Sequence, residues 1–312
     1  MRDLHVLRYV GSTLWSVLPD KWTEIVPMLV RHAKGDLVSA EAIAARLGDP
    51  GAAATRGAIA VVPIRGVIAH RAEMLSESSG GTSAERIGQM LTAVAADESI
   101  STIVYDVDSP GGTVPGIQEL AAQMFALRGV KKQVAVAHDL MASAAYWLAS
   151  QADELVAIPS ATSLGAIGVF SGHMDLSQHL KQEGVTVTLL SAGKYKTEGT
   201  PFEPLSTEAA AAIQAKVDEA YAQFAKDVAR GRGVTPAAVR GGYGEGRALS
   251  AKAALTAGVI DRIATWDETL ARLAGRKGTT AGMRAAGDEP AIQAGPIDED
   301  PDARLRERLE RF

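Results

Sequence analysis

Cysteine is absent from the 312 residues of this chain. Its absence excludes disulfide bonds, a catalytic thiolate and cysteine-ligated metal sites, and it is typical of a protein that works in a reducing compartment. Positive charge is also scarce, because Lys and Arg number 32 against 37 Asp and Glu, which gives a net charge of −5. No stretch concentrates basic side chains on one face, so nucleic acid is not an expected partner.

Long hydrophobic runs are missing as well. No stretch reaches the roughly 18 uninterrupted apolar residues that a membrane-spanning helix needs. The run from Val10 to Leu18 is short and is interrupted by Gly11 and by polar residues, so it does not resemble a secretory signal either. We therefore expect a cytoplasmic protein without a membrane anchor. The remaining composition, 46% apolar and 22% charged, is that of an ordinary globular protein with a sizeable core.

Composition and periodicity divide the chain into four segments. These are a helical prefix (1–50), a Gly/Ala/Pro linker (51–57), a main body (58–274) and a flexible, charged tail (275–312). The i, i+3, i+4 spacing of apolar residues predicts prefix helices at 4–18, 22–32 and 40–47.

The main body alternates short apolar strands with amphipathic helices. Strands are predicted at 58–64, 102–107, 133–137, 155–158, 185–190 and 259–263. Helices are predicted at 83–95, 115–127, 142–152, 176–183, 207–230 (with Thr207 as its cap) and in a short stretch capped by Ser250. Short apolar strands flanked by helices are typical of a parallel sheet that is covered on both faces, so the pattern predicts an α/β fold.

Ser143 lies within Met141–Tyr146, a few residues after the strand predicted at 133–137. Reactive groups of open parallel sheets gather at the carboxyl ends of the strands. The alanines around Ser143 are small enough for a substrate backbone to approach closely. Taken alone, such a serine is either a nucleophile that needs a neighbouring base or a residue that lines an Ala-rich helix. The two segments described next favour the nucleophile.

The segment Asp108–Gly112 (Asp-Ser-Pro-Gly-Gly) follows directly from the strand predicted at 102–107. Proline fixes one turn residue, and the two glycines permit positive φ angles and close approach. Such a turn can aim backbone N–H groups at a carbonyl oxygen that gains negative charge, each donor contributing on the order of 3 kcal/mol in the transition state. A plain strand-to-helix turn would have the same sequence, so this segment alone does not decide.

The loop Gly193–Lys196 supplies two lysines, Lys194 and Lys196. A lysine with the ordinary pKa of about 10.4 is protonated at neutral pH, so only burial or neighbouring cations turn it into a base. Lys196 is the candidate base, with Lys194 as the neighbouring cation. The alternative for either lysine is a solvated loop residue.

A histidine base is the main chemical rival. His138 precedes Ser143 by five residues and His173 follows it by thirty, and a Ser–His–Asp triad with Asp175 can be drawn. No Asp, Glu or His cluster has metal-ligand spacing. We therefore expect neither a metal nor another cofactor.

In order and approximate spacing, the turn Ser109–Gly112, the segment Met141–Tyr146 and the loop Gly193–Lys196 resemble peptidase family S49, the signal-peptide-peptidase-A-like enzymes. The segment Gly244–Asp261 resembles the closing motif of that family. The resemblance covers about residues 58–274. It implies a ClpP/crotonase-like fold of repeated ββα units with a largely parallel sheet.

The resemblance also implies roles for individual residues. Ser143 would be the nucleophile and Lys196 the general base. The oxyanion donors would be the backbone amides of Gly111, of Gly112 and of Ala144.

One departure from the family pattern concerns the base. Family members often read Gly-Ser-Ile-Gly-Val where this chain has Gly-Ala-Ile-Gly-Val at 165–169, and the family's serine is thought to hydrogen-bond the lysine. Ala166 has no hydroxyl group. Ser163 or Thr162 are the candidates to orient Lys196 in its place.

Three further segments, Ser12–Pro19, Ser191–Gly199 and Pro201–Leu205, resemble the phage-encoded branch of the family. That branch comprises the capsid-assembly, or prohead, proteases. The resemblance implies a Ser–Lys endopeptidase that processes capsid or scaffold proteins in the bacterial host cytoplasm or inside the procapsid. It also implies a homo-oligomer whose active sites lie near subunit interfaces.

Three other functions stay open. A catalytically degenerate family member would serve as an assembly or scaffolding factor, and Ala166 supports that reading. A bacterial signal-peptide-peptidase-like protein would degrade peptides. A crotonase-type acyl-CoA enzyme would need a cationic cluster for the nucleotide phosphates, and the sequence offers none.

Overall fold

The computed structural model of the chain describes residues 10–33, 54–70 and 81–275. The helix predicted at 40–47, the tail beyond 275 and the start of the linker lie outside these ranges. The strands of the described residues are β1 (Trp15–Val17), β2 (Ala54–Arg56), β3 (Ile59–Arg65), β4 (Ile68–Ala69), β5 (Thr82–Ser83), β6 (Thr102–Ser109), β7 (Gly111–Thr113), β8 (Lys132–Ala142), β9 (Glu154–Ala157), β10 (Ser163–Gly165), β11 (Ala248–Leu249) and β12 (Arg262–Ile263).

The helices of the described residues are α1 (Pro19–Ala33), α2 (Ala84–Ala96), α3 (Ile117–Ala126), α4 (Ala144–Ala149), α5 (Ser177–Gln182), α6 (Thr207–Arg232), α7 (Pro236–Gly242), α8 (Ala251–Thr256) and α9 (Trp266–Leu273). Several begin at serine or threonine caps whose hydroxyl accepts a first-turn amide, as at Ser83, Ser250 and Thr265. The cap of α6 is Ser206 and not Thr207, because the Ser206 hydroxyl accepts the Ala209 amide.

The larger sheet contains eight strands, and its central strands β3, β6 and β8 run parallel. Alternate residues of a strand point to opposite faces. Accordingly, Ile103 and Tyr105 of β6 pack with the main core on one face, whereas Val104 packs with Leu270 of α9 on the other. The α/β class with a largely parallel sheet covered on both faces is therefore confirmed.

Strand β8 pairs with different neighbours along its length. Residues Val134–Ala137 pair with β9, whereas Leu140–Ala142 pair with β10. Its carboxyl end is thus enclosed by β6 on one side and β10 on the other. Residue 143 follows at this enclosed end.

The smaller sheet has the order β1-β7-β4-β5. Strands β4 and β7 each follow a long strand of the larger sheet, β3 and β6 respectively, and each is followed in turn by a helix, α2 or α3. This order is the expected repeat of ββα units. Strand β7 contains the two glycines of the Asp-Ser-Pro-Gly-Gly segment.

Two predicted elements are wrong. The helix predicted at 4–18 does not extend through residues 15–17, which form β1 and pair antiparallel with β7. Trp15 and Val17 are buried, and this alternating pattern suits a short strand better than a helix. The strand predicted at 185–190 has no regular structure, and its apolar side chains are exposed, with Leu190 at 94%. Within the described ranges, none of the helices combines the length and hydropathy needed to cross a membrane.

Candidate active site

Ser143 lies at the junction between β8 and α4 with φ 58° and ψ −121°. Residues other than glycine rarely adopt this conformation, which costs on the order of 1–3 kcal/mol. Two hydrogen bonds maintain it: the Ser143 amide donates to Gly165 O (2.7 Å), and the Ser143 carbonyl accepts from the Trp147 amide (2.9 Å). The fold therefore holds this one side chain in a strained turn at the carboxyl edge of the sheet.

The Asp-Ser-Pro-Gly-Gly segment lies against Ser143. A Cβ atom on Gly111, whose φ is 101°, would stand 2.8 Å from Ser143 Cβ and 3.0 Å from the Ala144 amide nitrogen. Gly111 therefore has to be glycine for both conformational and steric reasons. The structure brings together Ser143 and the backbone of Gly111 and Ala144, as the sequence predicts. The Ala144 amide is the first of α4, so no earlier turn of that helix supplies it with an acceptor.

The other amides of this segment already have partners. The Gly111 amide donates to Ser109 Oγ (3.2 Å), and the Ser109 hydroxyl donates to Gly66 O (2.6 Å). Gly112 pairs in register with Ser16 of β1. A Cβ on Gly112 would stand 1.8 Å from Ile68 O, so the close approach of β4 also requires glycine there.

Ser143 is only 2% exposed, and its hydroxyl is in contact with a second serine. Ser143 Oγ lies 2.8 Å from Ser16 Oγ, and the Ser16 hydroxyl donates to Gly168 O at 3.1 Å. Each hydroxyl has one proton and two acceptor lone pairs, so either serine can be the donor between the two. The role of Ser16 was not predicted from the sequence. The only signal was the alternation of apolar residues on both sides of it, at Trp15 and Val17.

Lys196 lies in an exposed loop. Its side chain lines a cavity of about 410 Å³ together with Ser12, Leu14 and His173. Within the described part of the chain, Lys196 Nζ makes no hydrogen bond or ion pair, and nothing links it to Ser143. Lys194 pairs instead with Glu208, at 3.4 Å. The nucleophile and the base predicted from the sequence are therefore not in contact within one chain.

The residues predicted to orient the lysine are placed differently from one another. Thr162 donates its hydroxyl to Asp139 Oδ1 (2.6 Å), so its proton is already committed. Ser163 begins β10, beside the carboxyl end of β8. Ala166 is buried with φ 49° and packs with Leu18.

The histidines of the alternative triad have other partners. His138 Nε2 lies 2.8 Å from Asp106 Oδ1, and its ring packs against Trp266. The contact with Asp106 raises the pKa of His138 above its ordinary value. His173 Nε2 is hydrogen-bonded to Thr200 O at 3.0 Å. In the described ranges, no hydrogen bond joins either ring to Ser143.

The pKa of Asp106 is lowered. Burial of the carboxylate opposes ionisation, but the hydrogen bonds from His138 and Arg65 outweigh it. Across the ranges that the structure describes, no group of three or more His, Asp or Glu side chains is arranged to hold a metal ion.

Several known proteins and one family model are similar to this chain. A family model described as Peptidase family S49 matches residues 126–280, which include Ser143 and Lys196. The chain is 32% identical over 216 residues to the head-tail preconnector protein GP5 of Enterobacteria phage P21, covering 69% of this chain and 42% of that protein. It is 31% identical over 205 residues to the capsid assembly protease C of Escherichia phage lambda, covering 66% and 46% respectively.

Cellular proteases are also similar. Protease 4 of Salmonella typhi is 29% identical over 221 residues, covering 70% of this chain and 35% of that protein. Among solved structures, a ClpP1 mutant from Listeria monocytogenes matches with a TM-score of 0.41 and 14% identity, covering 66% of this chain and 92% of that one. The chain spans less than half the length of the two phage relatives. The family match and the identities to its phage and cellular members show that this chain belongs to peptidase family S49.

Proposed function

We propose that this chain is a serine endopeptidase that cleaves capsid or scaffold proteins during assembly of a phage head. The observation that carries the proposal is the strained turn at Ser143, which lies against the backbone of Gly111 and the first amide of α4. Membership of a peptidase family supports the reaction. The two phage relatives, one of them named as a capsid assembly protease, support the substrate class and a site of action in the bacterial host cytoplasm or the procapsid.

In the proposed reaction, Lys196 removes the Ser143 proton as Oγ attacks the scissile carbonyl. The amides of Gly111 and Ala144, with Gly112 beside them, stabilise the oxyanion, and each donor contributes about 3 kcal/mol to the transition state. The protonated lysine then passes its proton to the leaving amine, and water hydrolyses the ester to release the second product. The Gly111 amide must exchange Ser109 Oγ for the substrate oxyanion.

We infer that the lysine reaches Ser143 when copies of the chain associate. Lys196 is exposed in the single chain and belongs to a segment whose apolar side chains are also exposed. The exposed apolar side chains are those of Val185, Val187, Leu189 and Leu190, at 38% to 94%. Exposed apolar surface of this kind marks sites of contact with other proteins. Association through this segment would bury that surface and bring the Lys196 side chain out of water. The active sites would then lie close to the subunit interfaces.

The test is the mass spectrum of the purified chain after incubation with casein, a substrate without stable structure. We expect new fragments from the wild type and from Lys194→Ala, and none from Ser143→Ala or Lys196→Ala. Lys194→Ala is the matched control, because it removes a lysine from the same loop. Equal cleavage by the wild type and by Ser143→Ala, or by the wild type and by Lys196→Ala, would refute the Ser–Lys mechanism.

A catalytically inactive assembly factor is the second candidate. It is favoured by Ala166, which lacks the hydroxyl common at this position in the family, and by the burial of Ser143. A serine-directed fluorophosphonate separates the two functions. Labelling at Ser143 that depends on Lys196 supports the peptidase, whereas a folded, oligomeric chain that is never labelled supports the assembly factor.

A further inference from the structure

The cleft that leads to Ser143 is filled by the chain's own segment Leu14–Leu18, here called the plug strand. On one side it pairs antiparallel with β7, with Leu14 O accepting the Val114 amide and the Leu18 amide donating to Pro110 O, both at 3.0 Å. On the other side, Trp15 exchanges two backbone hydrogen bonds with Phe170, at 2.8 and 2.9 Å. The plug strand is therefore hydrogen-bonded on both sides, to β7 along its length and to Phe170 through an isolated antiparallel bridge.

Side chains hold the plug strand in place. Trp15 and Val17 are buried in a cluster with Ile25 of α1 and with Val67. This cluster is separate from the main core of the molecule. The plug strand and α1 are thus anchored to the cleft by a small apolar contact of their own, which can be released without disrupting the main core.

The plug strand and a protein substrate exclude each other. A substrate must place its scissile carbonyl about 3–3.5 Å from Ser143 Oγ to react. That space holds Ser16, whose Oγ stands 2.8 Å from Ser143 Oγ and whose residue is fully buried. The hydroxyl of Ser16 faces the nucleophile at hydrogen-bond distance, so the plug strand blocks the site with a side chain and not with a peptide carbonyl.

We propose that the plug strand is an autoinhibitory element and that cleavage requires its displacement from β7 and Phe170 by an extended segment of substrate. The peptidase part of this inference rests on the function proposed above. The occupant that replaces the plug strand is a polypeptide in β conformation, because the cleft offers backbone donors and acceptors on both sides.

A reversible disulfide that fixes the plug strand to the cleft, here called the lock, tests the proposal. The chain has no cysteine, so a pair introduced by Leu14→Cys and Val114→Cys is the only pair that can oxidise. These residues are hydrogen-bonded neighbours across β1 and β7, about 5.5 Å apart at Cα in such pairs, which a disulfide can bridge. We expect oxidation to reduce fluorophosphonate labelling of Ser143 at least about tenfold, and dithiothreitol to restore it. Leu14→Cys alone should show no redox response.

A binding measurement needs no catalysis. In a Ser143→Ala background, Ser16→Pro removes the amide that pairs with β7, whereas Ser16→Ala keeps it and serves as the matched control. We expect a fluorescein-labelled peptide identical to residues 11–18 to bind Ser16→Pro at least about tenfold more tightly than the parent chain, with Ser16→Ala close to the parent. The oxidised lock in the same background should not bind the peptide.

The outcomes separate the two proposals. Equal peptide binding by all variants, or no binding in either redox state while circular dichroism shows a folded chain, would overturn the autoinhibitory role. The autoinhibitory role would also be overturned if the mass showed that the disulfide of the lock had formed completely and the labelling of Ser143 had not changed. If the peptide binds as expected but no variant is ever labelled or cleaves protein, the plug strand does occupy a peptide-binding cleft, and the peptidase proposal fails.

Discussion

At the scale of single residues, the strained conformation of Ser143 is the feature that most sharply marks a functional position. Its φ of 58° with ψ −121° lies outside the regions that side chains other than glycine prefer. Strain of this kind persists where the surrounding structure dictates it. Here the Gly165 carbonyl and the first turn of α4 dictate it.

This strain predicts a difference between two substitutions at the same position. Ser143→Gly relieves the strain and Ser143→Ala keeps it, while both remove the hydroxyl contact with Ser16. We expect Ser143→Gly to be more stable than Ser143→Ala by about 1 kcal/mol, after allowing for the greater backbone entropy of glycine. Urea unfolding of the two variants measures it. Equal stabilities would mean that the turn is not strained in solution.

His138 and Asp106 predict a pH dependence of stability. The pKa of His138 is raised by Asp106, so its stabilising contribution is complete below the unfolded value of about 6.5 and is lost as the pH rises through the higher folded pKa. Asp106, with its lowered pKa, stays ionised throughout this range. Arg65 and Asp108 are the other charges that act on the ring.

We therefore expect the stability difference between the wild type and His138→Gln to be larger near about pH 6 than near about pH 9. Denaturant unfolding at both pH values provides the comparison. A difference that grows toward high pH would contradict the ion pair.

At the scale of elements, α6 holds the helix that carries the candidate nucleophile. Trp147 of α4 stacks on Phe224 at 4.5 Å, and its indole donates to Asp227 at 3.0 Å. Further along α6, Gly231 meets the backbone at the end of α4, where an added Cβ would stand 2.0 Å from Ser150 O. The two helices therefore approach closely at a position that only glycine permits.

Gly231→Ala should destabilise the chain by about 2 kcal/mol or more, because the contacting atom is backbone and cannot turn away. Gly241→Ala is the matched control: Gly241 is also helical, in α7, and an added Cβ there would meet no atom within 4 Å. We expect it to be neutral or slightly stabilising. Thermal and urea unfolding of both variants test this, and similar losses in both would argue against the close crossing.

Most elements could be predicted from the sequence, because their apolar period matches their burial. Strands β3 and β6 and helices α2 and α6 lie where the pattern predicts them. Strand β8 covers the strand predicted at 133–137 but continues to Ala142, which was predicted to begin a helix. Strand β1 could not be predicted from the sequence, because its three residues form a strand only by pairing with β7 and Phe170, which are distant in sequence. The apolar run at 185–190 has the composition of a strand, but no strand pairs with it among the residues that the structure describes.

At the scale of the whole molecule, no hydrogen bond or ion pair joins the predicted nucleophile Ser143 to the predicted base Lys196 within the described residues of one chain. The sequence predicts that Ser143, Gly111 and Ala144 belong to one site, and the structure places them next to each other because they follow neighbouring strand ends. Their roles in catalysis stay predictions. It does not reveal that Lys196 is exposed or that Ser16 faces the nucleophile, because both depend on packing between distant segments.

If two subunits share one site, as proposed above, two inactive variants should complement each other. A mixture of Ser143→Ala and Lys196→Ala chains, each inactive alone, should recover part of the wild-type cleavage of casein, because one subunit type supplies the serine and the other the lysine. Leu190→Asp, which places a charge on the most exposed apolar side chain of the segment, should reduce both oligomer formation, measured by light scattering, and activity. If the mixture stays inactive while the oligomers form, the lysine acts within its own chain.

The plug strand gives the molecule a threshold in substrate concentration. Because it is tethered to the cleft, it competes at an effective concentration on the order of millimolar, which ordinary encounters with dilute proteins do not overcome. Polypeptides packed at comparable density, as inside a closed shell, reach that level. A chain built in this way would cleave the dilute proteins around it slowly and act mainly where its substrate is crowded.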